Sequence, residues 1–219
     1  MPSNWLSVRR FVPLFFVPAG TGLVWDALHS ETLALRLLAW ALILFCLELA
    51  VMAKVDLDNI AAVRQEDSRL YRFSLVVNST IVLELIGFYI ALISSPAGAL
   101  MIILSQLWFN LLAQIQLCPK HSPAVVSFGI SQRVPLILAN GVGLVLLSLW
   151  FLSALAFGWE LGFVMQMRRW LGGGLLALVV LFLSVKYVTL GAAQVTNNRR
   201  QPAEKPEFDR DLPQNLKNI

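Results

Sequence analysis

Apolar residues fill this chain in long unbroken runs, with polar residues gathered at the ends of the runs and only a few inside them. Five runs, at 33–55, 73–94, 97–117, 134–158 and 170–193, reach the roughly 20 mainly apolar residues that a helix needs to cross about 30 Å of hydrocarbon. The second and third are separated by little more than Ser95 and Pro96, which forces them antiparallel. An earlier run at 11–25 holds Pro13, Pro18, Gly20 and Gly22 and falls short of a crossing unless Trp5 to Val8 extend it and Arg9 and Arg10 snorkel. Arginines before an apolar run also suit an export signal, but no small-x-small cleavage site follows, so the run reads as a retained membrane element. The predicted fold is an all-α integral membrane protein, a polytopic helical bundle of five or six transmembrane helices at 1–193, with a polar, proline-bearing and disordered tail at 194–219.

Charge orients that bundle. With six crossings and both termini inside, the inner side receives Arg9, Arg10, Lys54, Arg64, Arg69, Arg72, Lys120, Arg133 and the basic residues of the tail, while the outer side receives Arg36, Arg168 and Arg169. Short inner loops are the ones enriched in Lys and Arg, so the termini are placed on the cytoplasmic or stromal-type side of a bacterial inner membrane or an organellar membrane of bacterial origin. Trp25, Trp159 and Trp170 then fall at the outer boundary as an aromatic belt.

Composition removes several functions. Hydrophobic residues make up 58% of the chain and charged ones 14%, against about half and a quarter in soluble domains, so a soluble domain is excluded. The basic residues flank apolar runs instead of interleaving with aromatics on one face, which argues against nucleic acid despite a net charge of +4. Two cysteines and two distant histidines supply no disulfide framework, haem pair or zinc motif, so neither a metal nor another cofactor is expected.

The most conspicuous polar stretch is VDLDNIAAVRQEDSRLYR at 55–72. Spaced aspartates hold divalent metal against pyrophosphate in membrane enzymes that move lipid groups. Here Asp56 and Asp58 are one residue apart and no second aspartate cluster follows, so lipid-modifying chemistry ranks last among the functional readings. The alternating charges of Asp56, Asp58, Arg64, Arg69 and Arg72 read instead as a solvated hairpin on the inner face, with Asp58 set against Arg64 and Glu66 one turn from Arg69. In the loop at 117–135, His121, Ser122 and Ser127 lack any acid partner or nucleophile elbow, and no catalytic residue is assigned.

Polar groups inside the runs carry more weight. Gln106, Asn110 and Gln114 recur every four residues and share one helix face, which must turn to a neighbouring helix or a wet cavity. Glu48, Glu84 and Lys186 lie within three different runs, where a charge costs at least about 2.5 kcal/mol and requires a partner or water. Counted from the inner helix ends at about 1.5 Å per residue, Glu48, Asn78, Asn110, Asn140 and Lys186 fall near one depth, with Glu84 and Gln106 somewhat deeper. A shared intramembrane polar layer is the prediction. It is either an ion-paired layer that specifies which helices meet or a pathway for a proton, cation or small solute. The favoured expectation is a protein without chemistry of its own, an accessory, assembly or stabilising subunit that meets other membrane subunits through its helix faces. The alternative is a small-solute or cation-coupled transporter using the intramembrane carboxylates, and a wet cavity reaching Glu84 is the observation that favours it.

Overall fold

The computed structural model describes residues 12–62, 69–113, 116–117, 126–127, 130–155 and 161–200. A 3-10 turn, Val12–Phe15, leads into α1 (Phe16–His29), followed by α2 (Leu33–Ala62), α3 (Arg69–Ala91), α4 (Ser95–Leu112), α5 (Ile130–Leu155) and α6 (Leu161–Arg200). Between α4 and α5, β1 (Gln116–Leu117) and β2 (Val126–Ser127) form an antiparallel ladder pairing Gln116 with Ser127 and Leu117 with Val126. The molecule is an all-α bundle in which five helices are long and apolar enough to cross a membrane, over Leu33–Asp58, Tyr71–Ala91, Ser95–Leu112, Arg133–Ser153 and Leu161–Thr189.

These spans fall on the five predicted runs, and the differences lie at their ends. Hydropathy marks where a helix leaves hydrocarbon, not where its backbone hydrogen bonds stop. Helix α2 therefore continues from the predicted limit at Val55 to Ala62, and α6 begins at Leu161 instead of Trp170. At its other end α6 runs through Gln194 as far as Arg200, so the start of the expected disordered tail is helical; residues 201–219 lie outside the described residues. Helix α1 has 14 residues, about 21 Å at helical rise, and is not among the five long spans. It buries Phe16, Ala19, Leu23 and Ala27, a three-and-four-residue stripe that packs on α2 and α3. Phe16 meets Phe88 edge-on at 5.9 Å, and the Cys46 thiol donates to the Phe16 carbonyl at 3.7 Å.

The chain divides into two compact units, Met1–Val180 and Leu181–Ile219. In the first, α3 and α4 form the most extensive helix pair, joined by a turn that ends at Ser94 in extended conformation, with Pro96 in the first turn of α4. Small residues set the close approaches. Gly87 and Ala91 of α3 face Gly98 and Ile102 of α4, and Gly143 of α5 faces Ile103. On α6 the close approach is made by Gly172, where an added Cβ would lie 2.7 Å from the Ala34 carbonyl oxygen; at the neighbouring Gly173 the nearest atom would be Leu37 Cδ1 at 3.9 Å. Gly172→Ala is accordingly expected to lower stability by about 1–3 kcal/mol, because a backbone oxygen cannot swing aside. Gly141→Ala, with nothing within 4 Å of the new methyl, is expected to be neutral or to gain up to about 1 kcal/mol from helix propensity. Unfolding in detergent micelles measures both, and equal effects at the two sites would exclude the α2–α6 approach.

Candidate functional site

Helices α2, α3 and α4 enclose a cavity of about 50 Å³. Leu49, Met52, Ala53 and Asp56 line it from α2, Val77, Thr80, Ile81 and Glu84 from α3, and Gln106 and Phe109 from α4. Each of the first two sets has spacing i, i+3, i+4, i+7, the signature of one helix face. In each set the acid comes last. Because α2 and α3 are consecutive packed helices joined by a short connection and so run antiparallel, the two acids sit at opposite ends of the cavity, about 10 Å of helix apart. Glu84 is the deep one, only 3% exposed, while Asp56 is half-buried and nearer the α2–α3 connection.

Gln106 holds Glu84 in place: its amide Nε2 donates to Glu84 Oε1 across the α3–α4 interface. Asn110, itself buried, donates from Nδ2 to the Gln106 carbonyl at 2.8 Å, so of the predicted amide stripe Gln106 lines the cavity, Asn110 bonds the α4 backbone, and Gln114 lies outside the described residues. Thr80 donates its hydroxyl proton to the Val76 carbonyl at 2.8 Å, which leaves only oxygen lone pairs for the cavity. The lining therefore offers two carboxyl groups, a hydroxyl oxygen and an amide, with no Lys, Arg or His among them. At roughly 30 Å³ of liquid volume per water the space takes about one or two waters. Such a lining is chemically suited to a proton, a water or a small cation. Among the described residues no three His, Cys, Asp or Glu side chains converge as a metal site.

Just behind this wall lies Arg133, in the first turn of α5 and 6% exposed. Its guanidinium sits over the Phe109 ring, 5.1 Å from the centroid, and Nη1 donates to the Phe109 carbonyl at 3.4 Å. Asp56 interacts electrostatically with both Glu84 and Arg133.

The predicted layer is thus partly assembled. Glu84, Gln106 and Asn110 come together. Glu48 is buried on α2, one turn beyond Met52 on the stripe that reaches Asp56, but does not line the cavity. Asn78 is half-buried and bonds its own preceding turn, with Nδ2 at 2.7 Å from the Ser74 carbonyl, and Asn140 is half-buried on α5 away from the cavity. Lys186 belongs to the second unit, where its carbonyl accepts a bond from the Thr189 hydroxyl at 2.8 Å.

The inner-face hairpin needs correction: Asp56 is not a solvated loop acid but a helical residue facing the cavity, whereas Asp58 and Arg72 are exposed as expected. Asp56 and Asp58, two positions apart on one helix, point in divergent directions and do not form a joint metal clamp. Arg64 and the Arg69 side chain lie outside the described residues. Sequence reasoning placed Asp56 in the inner-face hairpin instead of the cavity and did not mark Thr80 or Arg133 as site residues. The stripe Glu48, Met52, Asp56, continued past the end of the apolar run, was the signal available for the first; nothing comparable marked the other two.

No family model, no curated protein and no solved structure matches this chain.

Proposed function

We propose that this membrane protein takes up a proton or small cation at Glu84 and carries that ion, or a small solute coupled to it, across the bilayer. The observation that carries the reading is a small, mainly apolar cavity that reaches a buried carboxyl group at mid-bundle and holds Asp56, Thr80 and Gln106 beside it. A purely structural acid is best served by a dry interior and a cationic neighbour; Glu84 instead has an amide donor and room for water. In a bacterial-type inner membrane the basic residues near the α2–α3 connection, Lys54, Arg69 and Arg72, set this end of the bundle inside, so the ion enters from there past Asp56. Trp25 and Trp170, both strongly exposed, suit the opposite interface.

Proteoliposomes under an imposed proton, Na+ or K+ gradient test this directly. Glu84→Gln retains an acceptor for Gln106 and should keep the fold while lowering flux at least about tenfold, as expected when an ionisable group in the path is neutralised. Glu48→Gln, off the cavity, should act more weakly. Wild-type flux in Glu84→Gln would sink the proposal.

A second reading, an accessory or assembly subunit, draws on a different observation. The spans in α5 and α6 are only 22% and 17% buried, which leaves long apolar faces for lipid or for partner helices. Stable co-purification of another membrane protein in mild detergent, lost on polar substitution of these faces, would favour it.

A further inference from the structure

Resting on the reading of Glu84 as an ion-binding acid, we propose that Arg133 is a tethered cation that competes with an entering monovalent cation for Asp56, and so gates the cavity from behind the Phe109 ring. Phe109 is the shared wall. Its ring lines the cavity on one side and carries the guanidinium of Arg133, so the cationic side chain stands next to the lumen without occupying it. Asp56 belongs to both sides: it lines the cavity, acts on Glu84, and attracts Arg133. An arginine 6% exposed at the start of a membrane span is stabilised by nearby negative charge, and a cation drawn to Asp56 weakens the share that Asp56 supplies.

The ligand class follows from the lining. Within a mainly apolar lining, the carboxyl groups of Asp56 and Glu84 and the Thr80 hydroxyl oxygen are the groups that suit a hard cation. Two carboxylates, with no third His, Cys, Asp or Glu converging among the described residues, are fewer than a divalent site of low exchange wants. A monovalent ion bound at Glu84 with a single water fits the volume. Reaching Glu84 past Asp56 requires that Arg133 give up part of its hold there. The guanidinium keeps its seat on the ring through cation–π attraction, so displacement from Asp56 need not expel it.

The test is binding of radiolabelled Na+ and, separately, a radiolabelled K+ analogue to the purified full chain in micelles, with N-methylglucamine as the inert ion. Arg133→Gln should tighten binding of at least one ion by about tenfold, the scale of removing one like charge from a partly buried site. Arg133→Met, which keeps the apolar stem, should do the same if the glutamine variant folds poorly. In an Asp56→Asn background the gain should vanish, because there is no longer a carboxylate to compete for. A gain that persists without Asp56 would overturn the competition, as would unchanged affinity in both Arg133 variants while Glu84→Gln abolishes binding; that second result would leave Glu84 as the ion site and remove only the gate. If no variant, nor the wild type, binds either ion, the gate is excluded and Glu84 is left as a proton site alone. Ion binding that survives Glu84→Gln would remove the underlying reading itself.

Discussion

Leucine at Gly98 is expected to prevent recovery of folded protein, and even Gly98→Ala is expected to cost more than about 3 kcal/mol, beyond the ~1–3 kcal/mol usual for overpacking. A Cβ placed there meets the Cβ, amide nitrogen and Cα of Ala91, the last at 2.5 Å. None of those atoms is the end of a flexible side chain, so the strain is relieved only by separating α3 from α4. Gly87→Ala serves as the graded comparison. Its new methyl would meet the Ile102 side chain at 2.7 Å and the Gly98 carbonyl at 3.3 Å. An isoleucine can change rotamer, and a loss of about 1–2 kcal/mol is expected. Thermal unfolding in micelles measures both. If Gly98→Ala lies within 1 kcal/mol of wild type, α3 and α4 do not close as tightly as described.

The second large effect is electrostatic. Gln106→Leu leaves the Glu84 carboxyl buried without its amide donor, and a loss of about 3 kcal/mol is expected from removing one partner of a buried polar pair. Glu84→Leu strands only a neutral amide and should cost less, about 1–2 kcal/mol. The double variant, with both positions apolar, should be more stable than the sum of the two losses implies. Interhelical hydrogen bonds in membranes average about 0.6 kcal/mol in such cycles, whereas bonds to a charged acceptor run to ~1.5–3 kcal/mol. A coupling above 1.5 kcal/mol is expected if the acid is ionised in the resting protein. A coupling near 0.6 kcal/mol would show that Glu84 rests in its neutral form and that the carried species includes a proton. Strict additivity would dissolve the pair as an energetic unit.

Much of this architecture is legible in the amino-acid order because the bilayer imposes one dominant rule: each long apolar run must satisfy its backbone internally. The runs, their antiparallel order and the depth of Glu84 and Gln106 all follow from it. Azimuth does not. Asn78 shares the depth predicted for the layer yet turns to the Ser74 carbonyl of its own helix, since depth is a count along the chain while facing depends on how neighbours rotate. Asp56 was obscured by the opposite error, taking the end of the apolar run as the end of the helix; the stripe through Met52 carries on through Asp56 in the same phase. Arg133 is visible in the sequence only as a topological charge. Its role depends on the placement of Phe109, which is a tertiary fact.

The tight α3–α4 pair also bears on how the protein enters the bilayer. A carboxyl group carried into hydrocarbon on a lone helix is among the costliest passengers a segment can have. Here the acid and its amide partner lie on consecutive helices linked by a three-residue turn, Leu92 to Ser94, and packed glycine to alanine near that turn. Were the two helices to leave the insertion machinery as a single hairpin, they would deliver Glu84 to the membrane interior already bonded to Gln106, and the order of elements along the chain would let the least lipid-soluble group travel with its escort.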